Sequence, residues 1–379
     1  MINIFIILII SIMLLAVAYL FMHFKNFSWI RCFTHPKWLP NLLSIALILI
    51  CLILTYSVSA VTIIVIIYLI YAFVICDILH LILRKVLKSD TLKKKWSLIY
   101  RSGILAFLIT ICFLILSYYN AIHVEITEYS LQTEKTLVSD KLTIAMISDL
   151  HLGTTMDAKE LEEYCTQINE KNPDVIFLLG DIFDESTDKE GMELACQAFG
   201  TLSSTYGTFY VFGNHDVNNY RPLVSMQKSD ITDNLIKNNI IILDDESTLI
   251  DNSFYLIGRS DKSFFKNSKR KTISQLIEPL DTNKYMILLD HQPLELETAA
   301  SLGIDLQLSG HTHSGQIWPI GLIAKTFHIN ELNYGNKKIE KYNAIVTSGI
   351  GCWGFPLRLG SNSEIVIIQV TNTEQNLQR

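Results

Sequence analysis

GHTHSGQ, residues Gly310–Gln316, sets two histidines on either side of one threonine, with glycines close by on both flanks. Imidazoles are frequent ligands for zinc, iron, copper and nickel, but His311 and His313 alone do not complete a coordination shell. Their partners have to come from elsewhere in the chain. The residues leading into the pair, DLQLSG (Asp305–Gly310), read as a short buried strand closed by glycine. The pair therefore lies directly after a strand, and the other strands become the place to look.

Four of them end in the same way. LTIAMIS (Leu142–Ser148), DVIFLLG (Asp174–Gly180), TFYVFG (Thr208–Gly213) and YMILLD (Tyr285–Asp290) are brief β-branched or aromatic runs closed by Gly, Ser or Asp. FYLIG (Phe254–Gly258), AIVTSG (Ala344–Gly349) and EIVIIQV (Glu364–Val370) add further strands. Leu161, Tyr164, Cys165 and Ile168 recur at helical spacing after the first strand, as do Met192, Ala195, Phe199 and Leu202 after the second. Two packed sheets with flanking helices are the expected architecture. Behind the five strands stand Asp149 and His151, Asp181 and Asp184, Asn214, His215 and Asp216, Asp290 and His291, then His311 and His313. Asp149 and His151 are two apart, like the opening pair, and in extended backbone that spacing aims both side chains to one face. Loops at one edge of an α/β sheet are where such proteins gather their chemistry.

The order D-x-H, G-D-x-x-D, G-N-H-D, H, G-H-x-H resembles the calcineurin-like metallophosphoesterase superfamily, over roughly Leu142 to Val370. GHTHSGQIWP with the later GIGCWGFPLRLG is similar to its membrane-associated bacterial branch of YaeI- and YkuE-like phosphodiesterases, with Ser314 at a position usually glycine. The resemblance implies an α/β fold, a four-layer α/β/β/α sandwich with two divalent metals at the sheet edge. Asp149, His151 and His313 would hold one ion, Asn214, His291 and His311 the other, and Asp181 would bridge them. This mixture of oxygen and imidazole suits Mn, Fe or Zn and lacks the thiolates of a structural zinc site. Such a pair polarises a phosphoryl group and lowers the pKa of a bridging water, whose hydroxide would attack phosphorus in line. His215 is cast as the group that stabilises or protonates the leaving oxygen, and Asp184 as its orienting partner. Ser/Thr protein phosphatases of the superfamily continue as G-D-x-x-D-R-G, whereas Glu185 and Ser186 follow Asp184 here. That subclass is disfavoured.

Half of the 379 residues are hydrophobic, and they are unevenly placed. Residues 1–125 form the expected transmembrane region, with spans at about 2–22, 40–57, 61–83 and 102–119, since a bilayer core needs ~20 apolar residues. The polar TYSVSA (Thr55–Ala60) splits the long middle run. A cleaved signal peptide is disfavoured: no basic residue precedes the first apolar run and no small-residue cleavage site follows it. Basic residues crowd the first loop (Lys25, Arg31, Lys37) and the third (Arg84, Lys85, Lys88, Lys93, Lys94, Lys95, Arg101), so the positive-inside rule puts both in the cytoplasm. Both termini, with the phosphoesterase domain at 126–379, would then be extracytoplasmic. Near the foot of the third span, Asp77 and His80 read as snorkelled or paired.

Residues 1–125 hold ten Lys/Arg against three Asp/Glu, a net of +7, which leaves −13 for residues 126–379 out of a whole-chain −6. So acidic a domain is a poor nucleic-acid binder. Its partners are expected to be the lipid bilayer and a phosphodiester or pyrophosphate, with a lipid-linked or envelope precursor as the candidate substrate. The alternative is a non-catalytic membrane sensor or scaffold whose metals serve structure. Seven scattered cysteines, none in a C-x-x-C pair, indicate neither a zinc knuckle nor a disulfide framework. His123 and His328 read as surface residues and KNSKRK (Lys266–Lys271) as a solvated loop, while Arg358 is a candidate phosphate contact.

Overall fold

The computed structural model describes residues 2–33, 36–57, 60–139, 141–216, 227–264 and 270–373. The chain divides into two compact units, Met1–Ser117 and Tyr118–Arg379. The first is helical, built from α1 (Ile2–Lys25), α2 (Ser28–Arg31), α3 (Leu39–Ser57), α4 (Ala60–Val86), α5 (Asp90–Ser102) and α6 (Ile104–Ile122), whose last turn belongs to the second unit. Among the described residues, α4 and α6 are long and apolar enough to cross a bilayer. α1 and α3 are apolar helices of 24 and 19 residues, of which the stretches Ser11–Lys25 and Leu39–Cys51 alone are shorter than the ~20 residues a span needs. Two helices therefore meet the criterion where four were expected. Val58 and Ser59 of the TYSVSA hinge lie outside the described residues.

The basic third loop is itself a helix. Leu92, Trp96 and Ile99 recur at helical spacing through the lysines, and Gly103, at φ 77°, ends α5 in a left-handed turn before α6. Asp77 of α4 is paired: it accepts from the hydroxyls of Tyr19 (2.7 Å) and Tyr100 (2.6 Å) and meets His23 Nε2 at 3.2 Å.

The second unit holds two six-stranded mixed sheets. The first runs β1 (Val124–Thr133), β12 (Ser363–Asn372), β2 (Lys141–Ile147), β3 (Val175–Leu178), β4 (Thr208–Tyr210), β5 (Ile240–Ile242). The second runs β10 (Gly335–Ile339), β11 (Tyr342–Val346), β9 (Leu306–Ser309), β8 (Tyr285–Leu289), β7 (Phe254–Gly258), β6 (Glu246–Ile250). The helices are α7 (Ala158–Glu170), α8 (Lys189–Phe199), α9 (Lys228–Lys237), α10 (Ile273–Ile277), α11 (Leu296–Ser301) and α12 (Ile320–Thr326).

Alternation along β2 shows how the layers form. Leu142, Ile144 and Met146 enter a core between the sheets, with Phe177 and Phe209 from the first sheet and Leu256, Ile287 and Leu308 from the second. Ala145 and Ile147 face the other way, onto Leu161 and Cys165 of α7, Met192 and Ala195 of α8, and Ile231 and Leu235 of α9. On the far side of the second sheet, Ile257, Met286 and Leu288 meet Ile273 and Leu276 of α10 with Leu296 and Ala299 of α11. The order is helix, sheet, sheet, helix. Strands β2, β3 and β4 run parallel, as do β8 and β9, so each set releases its following loops at one edge.

Phe177, wholly buried at the centre of the inter-sheet core, tests this layering. Phe177→Ala should cost roughly 3–5 kcal/mol, as large-to-small changes in tight cores do. Urea unfolding of the detergent-solubilised chain would read it, with a midpoint unchanged from the parent contradicting the arrangement.

Candidate metal centre

The five loops behind the parallel strands converge. Asp149, His151 and His313 bring one ligand atom each within 4.8 Å of one another, and so do Asp181, His291 and His311. In the first group His151 Nε2 lies 3.2 Å from His313 Nε2, which lies 3.5 Å from Asp149 Oδ1. In the second, His291 Nε2 is 3.1 Å from Asp181 Oδ2, and that same oxygen is 4.0 Å from His151 Nε2 of the first. Asp181 thus stands between the two groups. Asn214 is buried in the adjoining loop, one residue before His215, whose N–H donates to Asp181 Oδ1 (2.7 Å).

The backbone reaches this arrangement by turns rather than by strand alternation. Asp149 (φ 55°), His151 (φ 44°), Asp181 (φ 51°), His311 (φ 71°) and His313 (φ 48°) all sit in the left-handed region. The two-residue spacings therefore do not work through extended chain, as expected from sequence. Each such residue costs of order 1–3 kcal/mol and persists only where its surroundings hold it. Asp216 is one such support. Its carboxylate accepts four backbone N–H groups, from Asp181 (2.9 Å), Ile182 (2.9 Å), Phe183 (3.0 Å) and Gly213 (2.7 Å), which fastens the second ligand loop to the third. Asp149 does the same across the sheets by accepting the His311 N–H at 2.9 and 3.0 Å.

Hydrogen bonds on the far ring nitrogens aim the imidazoles. His291 Nδ1 donates to the Leu179 carbonyl (2.7 Å) and His151 Nδ1 bonds Asp184 (3.1 Å), which turns each Nε2 lone pair inward. Burial favours neutral His313 and His311 and depresses both pKa values, with the neighbouring His151 and His291 adding to it. Burial would also depress His291, but the Asp181 carboxylate overrides it and holds that ring well above its usual value. Lone pairs and carboxylate oxygens converging at 3.1–3.5 Å match the edges of a shell whose ligands stand ~2.1 Å from a central ion. Nδ1 of His313 is buried with no hydrogen-bond partner. A donor set so short of cations fits divalent metals well.

Around the metal groups, three sequence expectations change. Asp184 does not orient His215: its carboxylate bonds His151 Nδ1, and Glu185 Oε1 takes His215 Nδ1 at 2.9 Å. The Ser186 N–H and hydroxyl both donate to Asp184 Oδ1, which fixes that carboxylate away from His215. Glu185 was legible only as the residue standing where the protein phosphatases carry arginine. Arg358 is no phosphate contact, since it is wholly buried and donates to the carbonyls of Ser348 (2.8 Å) and Gly351 (2.5 Å). Arg270 is buried too, bonded to Asp290 (3.0 Å), while residues 266–269 of the expected solvated loop lie outside the described residues. Asp290 faces Arg270 and Arg259 rather than the metal groups. His123 and His328 are exposed. Beside His215 opens a cleft of about 790 Å³ lined by Gly153, Thr154, Asp184, Glu185, Ser186, Trp353, Gly354 and Pro356.

Two adjoining His/Asp groups at the edge of a two-sheet sandwich form a candidate dimetal site. The calcineurin-like phosphoesterase pattern matches residues 142–315. A metallophosphoesterase of Aquifex aeolicus is 30% identical over 258 residues, 67% of this chain and 94% of that protein. One of Helicobacter pylori is 31% identical over 242 residues, 62% of this chain and 61% of that one, so the chain spans less than two thirds of the relative's length. A Danio rerio protein named for a transmembrane region with a metallophosphoesterase domain is 27% identical over 282 residues, 71% of this chain and 62% of its own. The chain belongs to the calcineurin-like metallophosphoesterase family.

Gly310 offers a direct test of the ligand geometry. A Cβ there would stand 2.0 Å from Ser148 Oγ and 2.2 Å from Asp149 Oδ2, both too close to tolerate. Gly310→Ala should displace Asp149 and reduce bound Mn²⁺ per chain, read by elemental analysis, while circular dichroism stays that of the parent. Full metal content in this variant would contradict the geometry.

Proposed function

We propose that the chain is a membrane-anchored phosphoesterase that hydrolyses a phosphodiester or pyrophosphate bond at two metal ions. The observation that carries this reading is the position of Asp181 between two ligand groups. Asp149, His151 and His313 would hold one ion, and Asn214, His291 and His311 the other, with Asp181 shared. Such ions, when bound, polarise the phosphoryl group and supply a water of lowered pKa. The chain's own part falls to groups outside that set. His215, engaged by Glu185 through Nδ1, would give a proton from Nε2 to the departing oxygen. The tilted ring of Trp353, 5.6 Å from His215 between centroids, forms one wall for the leaving group. With Glu185 and Ser186 after Asp184, no arginine stands at the site that protein phosphatases use, which favours other esters.

Membrane anchoring is supported by the two long apolar helices and by the description of the Danio rerio relative. The reading extends to four spans, α1 and α3 among them, with the basic residues cytoplasmic and residues 126–379 outside. Leu92, Trp96 and Ile99 along one side of α5, interleaved with lysines, suit a helix lying in the cytoplasmic interface. Manganese, iron or zinc all fit the donor set, and a lipid-linked or envelope phosphoester is the substrate class that such an anchor brings within reach.

Purified full-length protein with Mn²⁺ should cleave bis(p-nitrophenyl) phosphate. His215→Ala should lose about 10²–10⁴-fold in kcat, the usual scale of a proton donor, with metal content unchanged. Full metal occupancy without turnover on any diester or monoester would instead favour the sensor or scaffold. Glu185→Gln should lower kcat while Asp184→Asn lowers metal affinity, and an effect of Asp184→Asn on kcat alone would reverse the assignment of those two carboxylates.

A further inference from the structure

We propose that Trp318–Ile329 is a docking surface for the phospholipid bilayer in which this same chain is anchored, and that it seats the metal-bearing edge at the lipid–water interface. The inference rests on the membrane-anchored reading above. Six large apolar side chains within twelve residues, Trp318, Ile320, Leu322, Ile323, Phe327 and Ile329, are 43–73% exposed. Of α12 itself only Ala324 is buried. An apolar collection of this size on a soluble surface marks an interaction site.

The chemistry selects lipid. From Gln316 to Asn330 there is no acidic residue, in a domain carrying −13, and the charged or titratable groups in that run are Lys325 and His328. Tryptophan, phenylalanine and leucine beside a lysine compose the face that interfacial helices bury at the headgroup level. Connectivity points the same way, because one residue, His123, separates the end of α6 from the start of β1. A domain on so short a tether works at the surface of whatever bilayer α6 crosses.

The surface is joined to the site without slack. A Cβ on Gly315 would lie 2.1 Å from Gly321 N, so the first turn of α12 rests directly on the loop that presents His313. Gln316 then accepts the Trp353 N–H (3.0 Å) and donates to the carbonyls of Trp353 (3.1 Å) and Leu357 (3.3 Å), tying the wall of the His215 cleft to the same loop. Docking by this stretch would bring phosphoesters of lipid head groups to the cleft, rather than soluble ones.

The test uses the full chain in phospholipid nanodiscs, with Cys32, Cys51 and Cys112 replaced by serine and an environment-sensitive fluorophore on one new cysteine. Phe327→Cys should show blue-shifted emission and lose most of it to lipids spin-labelled near the headgroup, whereas Lys171→Cys, at the end of α7 away from the metal-bearing edge, should lose none. Ile115→Cys in α6 reports on anchoring itself. Quenching at 115 with none at 327 overturns the docking surface alone; no quenching at either position overturns the membrane reading and the docking surface together. A blue shift at 327 that spin-labelled lipid leaves intact would mean cover by protein, such as a second copy, and would also overturn the proposal.

Discussion

One buried carboxylate organises the second unit. Asp181 lies 3.1 Å from His291 Nε2 and 4.0 Å from His151 Nε2, so a single side chain stands between the two candidate ligand groups. Its charge has no room to relax into water, and the imidazoles around it hold its acid well below the ordinary carboxylate range despite burial. Charges placed like this are costly unless matched. The rest of the sandwich serves to keep them matched: Asp216 clamps the loop of Asp181 to that of Asn214, and Gly213 lies so close that a Cβ would stand 2.3 Å from Asp181 Oδ1. A left-handed backbone at five of the seven candidate ligand positions is the strain that this tight anchoring sustains.

What could be read from the sequence follows from what is buried on both faces. β2, β3, β8, β9 and β12 are mostly apolar because central strands meet a layer on each side, and all five were visible. β1, β5, β6 and β10 escaped notice, since they stand at or near the sheet edges with partly exposed side chains and little apolar contrast. At the site, residue types and their order sufficed to single out the six His and Asp residues that the fold gathers into two candidate groups. The partner of His215 did not follow, because Asp184 and Glu185 are adjacent and both acidic. Only the hydrogen bonds from Ser186 decide which of them turns toward His151. Arg358 misled for a related reason: a guanidinium in a glycine-rich closing loop can meet phosphate or backbone carbonyls, and composition does not distinguish these.

The apolar half was legible by length alone, and length is a coarse rule. Among the described residues α4 and α6 pass it, while α1 and α3 match the extent of the expected spans. Conversely, Trp318–Ile329 is far too short to span and drew no membrane reading from sequence; its exposure in the folded domain is what marks it. In the proposed reading anchoring and catalysis join: α4 and α6 would hold the chain at a bilayer, and the exposed rim of the sheet edge would lie against it.

Electron paramagnetic resonance of the Mn²⁺-loaded chain tests directly whether Asp181 joins two ions. Two ions sharing this carboxylate should give an exchange-coupled spectrum, which Asp181→Asn weakens or abolishes. Isolated, uncoupled Mn²⁺ signals from the parent chain at full loading would contradict it.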